Sequence, residues 1–222
     1  MLNNMIKAIR DLFKNDIQSS NSVMINKDIT VILDAGHGAE TPGKRSPKWS
    51  DGSQLFEWEF NRDIVKRIAE QLKESGIKYH ILVPEKSDIS LTERCRRANK
   101  IWKNTKKRCF LMSIHANAGG GTGFEIWTSV GKTKSDDMAT IIWNEMKEEF
   151  PSQKMRLDTT DGDVDKEKNF AMVYNTQCPA TLSECFFMDY EPDCRLIMSD
   201  AGRRKIAHAH VRAIKKILMK LY

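Results

Sequence analysis

Two short apolar runs, each ending in a histidine close to glycine, constrain the fold of this chain most strongly. Residues 29–38 read Ile-Thr-Val-Ile-Leu-Asp-Ala-Gly-His-Gly, and residues 109–117 read Cys-Phe-Leu-Met-Ser-Ile-His-Ala-Asn, with glycines at 119–121. Apolar, β-branched runs of this length predict buried strands, and glycine allows a sharp turn where each strand ends. Because ligands of open α/β sheets gather at the carboxyl ends of the strands, the pattern predicts that His37 and His115 share one site.

Strand-like and helix-like segments alternate along the rest of the chain. The helical segments are 55–75, 90–102, 138–150 and 201–221, and the further strands are 79–83, 123–129 and 179–188. This alternation predicts an α/β fold, a single domain with a mostly parallel or mixed twisted sheet and helices on both faces. We expect residues 1–27 to form a short N-terminal helix and connector, and residues 28–222 to form the main domain.

The net charge and the cysteine content indicate which partners and which kinds of site the chain can have. The net charge of +6 and the pI near 9.0 favour an anionic partner, but the basic residues are scattered. No basic face or aromatic platform for nucleic acid is recognisable, so we expect no nucleic-acid binding. The five cysteines form no C-x-x-C pair, which argues against a disulfide framework or a cysteine zinc knuckle.

The sequence also predicts where the chain is made. No apolar run approaches the length of a membrane span, so we expect no stable membrane insertion. The first 22 residues lack the uninterrupted apolar core of a secretory signal. We therefore expect synthesis in the cytoplasm without a signal peptide.

The histidine pair suggests a catalytic zinc site. Such sites take three protein ligands from histidine and carboxylate side chains and leave one position for water. His37 and His115 supply two ligands, and a carboxylate at the start of the following helix, Glu57 or Glu59, supplies the third. Glu184, a lone carboxylate near the end of an apolar strand, is the candidate acid and base. Asn117 either contacts substrate or forms a local turn.

We expect the other histidines and acidic residues that could bind a metal to have structural roles instead. His208 and His210 lie two apart on a helix and point to different faces, so they cannot bind one metal together. Asp161, Asp163 and Asp165 mimic the start of a calcium loop but lack its glycine at the sixth position. We expect these three aspartates to form a solvated acidic loop.

Several motifs occur together in a fixed order. They are Asp-Ala-Gly-His-Gly at 34–38, Glu57 four residues before Asn61, Leu91 with Arg94 and Ala98-Asn99, Ser-Ile-His-Ala-Asn at 113–117, and Pro179-Ala180 with Glu184 and Phe187-Met188. Over residues 28–221 the chain resembles the zinc-dependent N-acetylmuramoyl-L-alanine amidases of the amidase type 3 family, including phage and prophage lysins.

The resemblance implies a cofactor, a reaction and a place of action. It implies Zn²⁺ bound by His37, Glu57 and His115, with Glu184 as catalytic acid and base. The implied reaction is hydrolysis of the amide between N-acetylmuramic acid and L-alanine in peptidoglycan. Residues 28–222 would then be a zinc amidase catalytic domain, which acts on the cell wall or in the periplasm after release.

The chain departs from the family pattern in two places. The usual Glu-Lys-Asp is replaced by Glu57-Trp58-Glu59, so Glu59 competes with Glu57 as the third ligand, although alignment through Asn61 selects Glu57. The usual Glu-x-Gly-Phe around the catalytic acid is replaced by Glu-Cys-Phe-Phe at 184–187.

Two alternative functions stay open. The chain could be a zinc peptidase that cuts within the stem peptide, or a non-catalytic wall-binding module.

Overall fold

The computed structural model describes residues 25–222, and the helix expected within residues 1–27 lies outside this part of the chain. The described strands are β1 (Thr30–Ala35), β2 (Tyr79–Ile81), β3 (Cys109–Asn117), β4 (Phe124–Thr128), β5 (Lys166–Glu167) and β6 (Ala180–Phe187). The described helices are α1 (Glu57–Glu74), α2 (Leu91–Asn104), α3 (Lys134–Glu149), α4 (Ala171–Tyr174), α5 (Glu191–Met198) and α6 (Asp200–Lys220).

All six strands form one mixed sheet in the order β2-β1-β3-β6-β4-β5. Neighbouring strands are parallel except for β4 and β6, which are antiparallel. The predicted α/β fold is therefore confirmed. The sequence pattern did not predict β5, α4 and α5, because elements of two to eight residues contain too few periods to be recognised.

Helices cover both faces of the sheet, because side chains of a strand point alternately to its two faces. One apolar layer packs under α1, α3 and α6 and includes Phe60, Ile142 and Ile214. The second layer packs under α2 and α4 and includes Leu111 and Leu182. The candidate site lies on the same face of the sheet as this second layer, at the carboxyl ends of the strands. None of the described helices has the length and apolar content needed to cross a bilayer.

A β-bulge interrupts β6 directly after Glu184. His115 pairs with Glu184 and Asn117 pairs with Phe187, so β6 has one more residue than β3 between these pairs. Phe186 takes up the irregularity in the left-handed region, with φ of 68°. Cys185 and Phe186 consequently enter the same apolar layer. Where the family pattern has glycine, this chain holds a buried phenylalanine in a backbone conformation that glycine favours.

The acidic segment that resembles the start of a calcium loop is less solvated than expected. Asp161 is exposed, but Asp165 is only 1% exposed and accepts a hydrogen bond from the Thr128 hydroxyl, with 2.5 Å between the oxygens. The expectation of a solvated loop is therefore wrong for Asp165. Its position directly before β5 places it against β4, which the sequence pattern did not reveal.

Candidate active site

His37 is held by its backbone at the end of β1. Its φ of 60° turns the chain out of the strand, and its carbonyl oxygen accepts hydrogen bonds from Arg62 and Arg94, each at 2.9 Å. Gly36 lies against the ring of His115, where an added Cβ would come within 2.1 Å of Cε1. Glycine at position 36 therefore allows the two histidines to approach each other.

Glu57 joins the two histidines from the first residue of α1. Its Oε1 lies 3.3 Å from His37 Nε2 and 3.2 Å from His115 Nδ1. Asn61, one turn further along the helix, donates to Glu57 and to the carbonyl of Gly36. Possible ligand atoms of His37, Glu57 and His115 all lie within 4.8 Å of one another.

The structure thus brings Glu57, and not its competitor Glu59, together with both histidines. Glu57 is 1% exposed, whereas Glu59 is exposed on the outer side of α1. Glu57 Oε2 is buried and has no hydrogen-bond partner among the described residues, and its nearest cation is Lys44 Nζ at 3.8 Å. Two imidazoles and a carboxylate with an unsatisfied oxygen are the ligands that a catalytic zinc site takes, so the residues fit this ion.

The charges of these three groups depend on one another. Burial by itself would raise the pKa of Glu57, but hydrogen bonds from His115 and His37 lower that pKa to well below its usual range. Burial by itself would lower the pKa of His115, but Glu57 and the negative charge of Glu184 raise it. The site therefore keeps Glu57 ionised and attracts positive charge.

Glu184 lies directly across from His115, in the neighbouring parallel strand. Its Oε2 is buried and has no hydrogen-bond partner among the described residues. Burial raises the pKa of Glu184 to about 7, although the positive charge of His115 opposes the shift. A carboxyl group with this pKa both accepts and donates a proton near neutral pH, which is what a general acid and base requires.

Asn117, which we expect to contact substrate or to form a turn, makes hydrogen bonds to other groups of the protein through its side-chain amide. Its Nδ2 donates to Glu125 Oε1 at 2.7 Å, and its Oδ1 accepts from the backbone N–H of Ala118. Glu125 faces Glu184 across the antiparallel pair of β4 and β6. Sequence reasoning missed Glu125, although it is a lone carboxylate in an apolar strand, the same signal that selected Glu184.

A buried ion pair between Asp34 and Arg94 lies next to the site and holds the end of β1 in place. Asp34 on β1 is fully buried, accepts a 2.6 Å hydrogen bond from the Ser113 hydroxyl and pairs with Arg94 Nη1 at 2.8 Å. Beside it, a cavity of about 230 Å³ opens next to both histidines and is lined in part by Leu91 and Met172. The histidines of α6 lie elsewhere, His208 exposed and His210 buried, as their spacing predicts.

Comparisons with known proteins find an N-acetylmuramoyl-L-alanine amidase and a phage endolysin among the relatives of this chain. The N-acetylmuramoyl-L-alanine amidase CwlM of Bacillus licheniformis is 29% identical over 192 residues, which cover 85% of this chain and 68% of the relative. The endolysin of Bacillus phage SPP1 is 28% identical over 194 residues, which cover 85% of this chain and 65% of the endolysin.

Among solved structures, an N-acetylmuramoyl-L-alanine amidase from Clostridium difficile 630 matches with a TM-score of 0.74 and 24% identity. The match covers 87% of this chain and 98% of that structure, and it shows a shared fold. The family model for N-acetylmuramoyl-L-alanine amidases matches residues 31–216, which include all five candidate site residues: His37, Glu57, His115, Asn117 and Glu184. The chain therefore belongs to the N-acetylmuramoyl-L-alanine amidase family, whose members are hydrolases of peptidoglycan.

Proposed function

We propose that this amidase hydrolyses the bond between N-acetylmuramic acid and L-alanine with a Zn²⁺ ion held by His37, Glu57 and His115. Glu184 is the catalytic acid and base. The observation that carries the proposal is the convergence of possible ligand atoms from His37, Glu57 and His115, with Glu57 Oε2 buried and unsatisfied, beside Glu184, whose Oε2 is also buried and unsatisfied. When bound, Zn²⁺ supplies a Lewis acid that activates water and polarises the amide carbonyl.

The protein's own groups position and move the proton. The Glu184 carboxylate takes a proton from the attacking water and later gives it to the leaving nitrogen of L-alanine. Its pKa near 7 suits both steps. His37 and Glu57 are fixed by contacts to Arg94 and Asn61, so the ligand set is arranged before substrate arrives.

Residues 28–222 constitute the catalytic domain in this proposal, and peptidoglycan is its partner. The family match over residues 31–216 supports these limits. The related endolysin and a sporulation-specific amidase of Bacillus subtilis, 27% identical over 192 residues, support action on the cell wall.

Digestion of purified peptidoglycan tests the proposal. Wild type, Glu184→Gln and the control Glu59→Gln are incubated with cell walls, and the released fragments are identified by mass spectrometry. We expect stem peptides with a free N-terminal L-alanine from wild type and control. Glu184→Gln should be slower by roughly 10²–10⁴-fold at equal zinc content.

Each of the other outcomes would lead to a different conclusion about the function of this protein. Fragments cut inside the stem peptide would make the chain a zinc peptidase. Tight wall binding without cleavage by the zinc-loaded protein would make it a wall-binding module. Full activity of Glu184→Gln would remove Glu184 from the mechanism while leaving the reaction in place.

A further inference from the structure

Glu125 organises a cluster of cations beside the site. It is 5% exposed, and its Oε1 accepts from Asn117 Nδ2 and Trp127 Nε1. Its Oε2 accepts from Arg156 Nε at 2.6 Å and from Lys166 Nζ at 2.7 Å. Four donors therefore saturate one carboxylate, which is more than a single surface ion pair would need.

The cluster carries an excess positive charge. Two cations share one carboxylate here, whereas Arg97 pairs with both Glu85 and Glu93. Arg156 uses only its Nε, and Nη1 and Nη2 have no hydrogen-bond partner within residues 25–222. The Arg156 side chain is 30% exposed and that of Lys166 is 20% exposed. Both cations can consequently reach an anion from solvent.

The two cations are also held in place. The Arg156 guanidinium lies 5.3 Å from the ring centroid of Phe187, and Lys166 Nζ lies 5.2 Å from that of Trp127. A guanidinium with a fixed Nε and two free nitrogens is a planar fork that matches the two oxygens of a carboxylate. Little side-chain entropy is lost when such a fork binds its ligand.

The cluster lies in line with the catalytic groups. His115, Glu184 and Glu125 are paired residues on three neighbouring strands, so their side chains share one face of the sheet. Neighbouring strands are about 4.8 Å apart. An extended peptide advances roughly 3.4 Å per residue, so a charged group one residue beyond L-alanine falls about 7 Å from the scissile nitrogen. Glu125 is paired with Glu184 on the neighbouring strand, and Arg156 and Lys166 contact the Glu125 carboxylate, so both cations lie on the β4 side of Glu184.

We propose that Arg156 and Lys166, oriented by Glu125, form a subsite that recognises a free carboxylate on the second residue of the stem peptide. In peptidoglycan this group is the α-carboxylate of a γ-linked D-glutamate, which some cell walls carry as the uncharged amide. The subsite makes the enzyme selective for the acidic form. The inference rests on the proposed amidase function, because it presumes that the scissile bond lies at Glu184.

Two matched substrates test the subsite. N-acetylmuramoyl-L-alanyl-γ-D-glutamyl-L-lysine carries the α-carboxylate on its second residue, and its D-isoglutaminyl counterpart replaces that carboxylate with an amide of the same shape. In both substrates the γ-carboxyl group of the second residue is taken up by the peptide bond to lysine. We expect wild type to show a kcat/KM roughly ten- to a hundredfold higher on the acid, mainly through a lower KM. Arg156→Met and Lys166→Met should bring this ratio close to one. Arg156→Lys, which keeps the charge but loses the fork, should give an intermediate ratio.

The substrate ratio separates recognition from a structural role. A purely structural cluster would lose activity equally on both substrates, leave the ratio unchanged and overturn the inference. Lys154→Met is the control, because Lys154 is an exposed cation two residues before Arg156. This variant should keep the wild-type ratio.

A binding measurement keeps the inference distinct from the proposed function. Wild type that cleaves both substrates equally retains the amidase function and loses the subsite. Cleavage of neither substrate would count against the function, and calorimetry with the product peptides L-alanyl-γ-D-glutamyl-L-lysine and L-alanyl-D-isoglutaminyl-L-lysine then decides on the subsite. Equal affinity for the two peptides would overturn it, and a preference for the acid that disappears in Arg156→Met would support it.

Discussion

Arg94 offers the sharpest test of how the site is supported. It is only 2% exposed, and its guanidinium donates to Asp34 Oδ1 at 2.8 Å, to Ala35 O at 2.6 Å and to His37 O at 2.9 Å. Its Nε donates to the carbonyl of Ile89 at 2.8 Å. One side chain therefore ties the end of β1 to the start of α2.

Replacement by methionine keeps most of the aliphatic stem and removes every one of these donors. Asp34 stays buried without its cationic partner, with the Ser113 hydroxyl as its remaining side-chain hydrogen-bond donor. Breaking a buried ion pair in this way costs roughly 3–5 kcal/mol, a large part of the stability of an ordinary domain. The His37 carbonyl would keep its hydrogen bond from Arg62 but lose the one from Arg94. This loss should in addition weaken zinc binding by about tenfold, because contacts behind a ligand fix its orientation.

Urea unfolding followed by circular dichroism measures the first effect, and competition with a chromogenic chelator measures the second. Arg96→Met is the matched control: Arg96 lies on the same helix, is 64% exposed and pairs with Glu93 alone, so its loss should leave the stability close to that of wild type. Adding Asp34→Asn to Arg94→Met should recover part of the loss by removing the unpaired charge. Destabilisation of Arg94→Met by less than about 1 kcal/mol would refute the reasoning.

Three further predictions concern stability. Phe186→Gly relieves a φ of 68°, worth roughly 1–2 kcal/mol, but removes a fully buried ring that packs on Phe150, worth about 3–5 kcal/mol. Urea unfolding should show a net loss of about 2 kcal/mol, and a more stable variant would contradict the packing argument. Burial lowers the pKa of His210 to about 4, so stability should be full above pH 6.5 and fall by roughly 3 kcal/mol towards pH 4. His210→Gln should remove this part of the pH dependence in urea titrations. Burial, reinforced by Asp163, raises the pKa of Asp165 to about 7, so its stabilising effect is present at low pH and lost as the pH rises through 7. Asp165→Asn should therefore raise Tm at pH 8 and do so much less at pH 5, and an equal gain at both values would contradict this assignment.

The sequence predicted the parts of the site that depend on local pattern. His37 and His115 each end an apolar run beside glycine, and parallel strands bring such ends to one edge of a sheet. The start of a helix predicts Glu57 or Glu59 as the third ligand, and the family resemblance selects Glu57. Glu184 is predicted as the acid and base because it is a lone carboxylate near the end of an apolar strand. The geometry that joins these four residues follows from strand order, which the pattern of helices and strands already restricts.

The surroundings of the site depend on tertiary contacts that the sequence does not display. Arg156 and Lys166 reach Glu125 from 31 and 41 residues away, through a segment with little regular structure. The burial of Asp165 and the left-handed conformation of Phe186 likewise arise from packing between layers. Local propensity favours other states at both residues, so no pattern signalled them.

The place of β6 in the sheet has a consequence for the protein as it is synthesised. This strand is the last of the six in sequence, yet it lies in the middle, between β3 and β4. A nascent chain that ends before residue 180 holds His37, Glu57 and His115 but lacks Glu184 and the strand that joins the two parts of the sheet. Until β6 leaves the ribosome, β3 and β4 present unpaired edges, which are binding sites for chaperones and for other chains. With Glu184 in its proposed role, the amidase would gain hydrolytic capacity only after β6 has paired with β3 and β4.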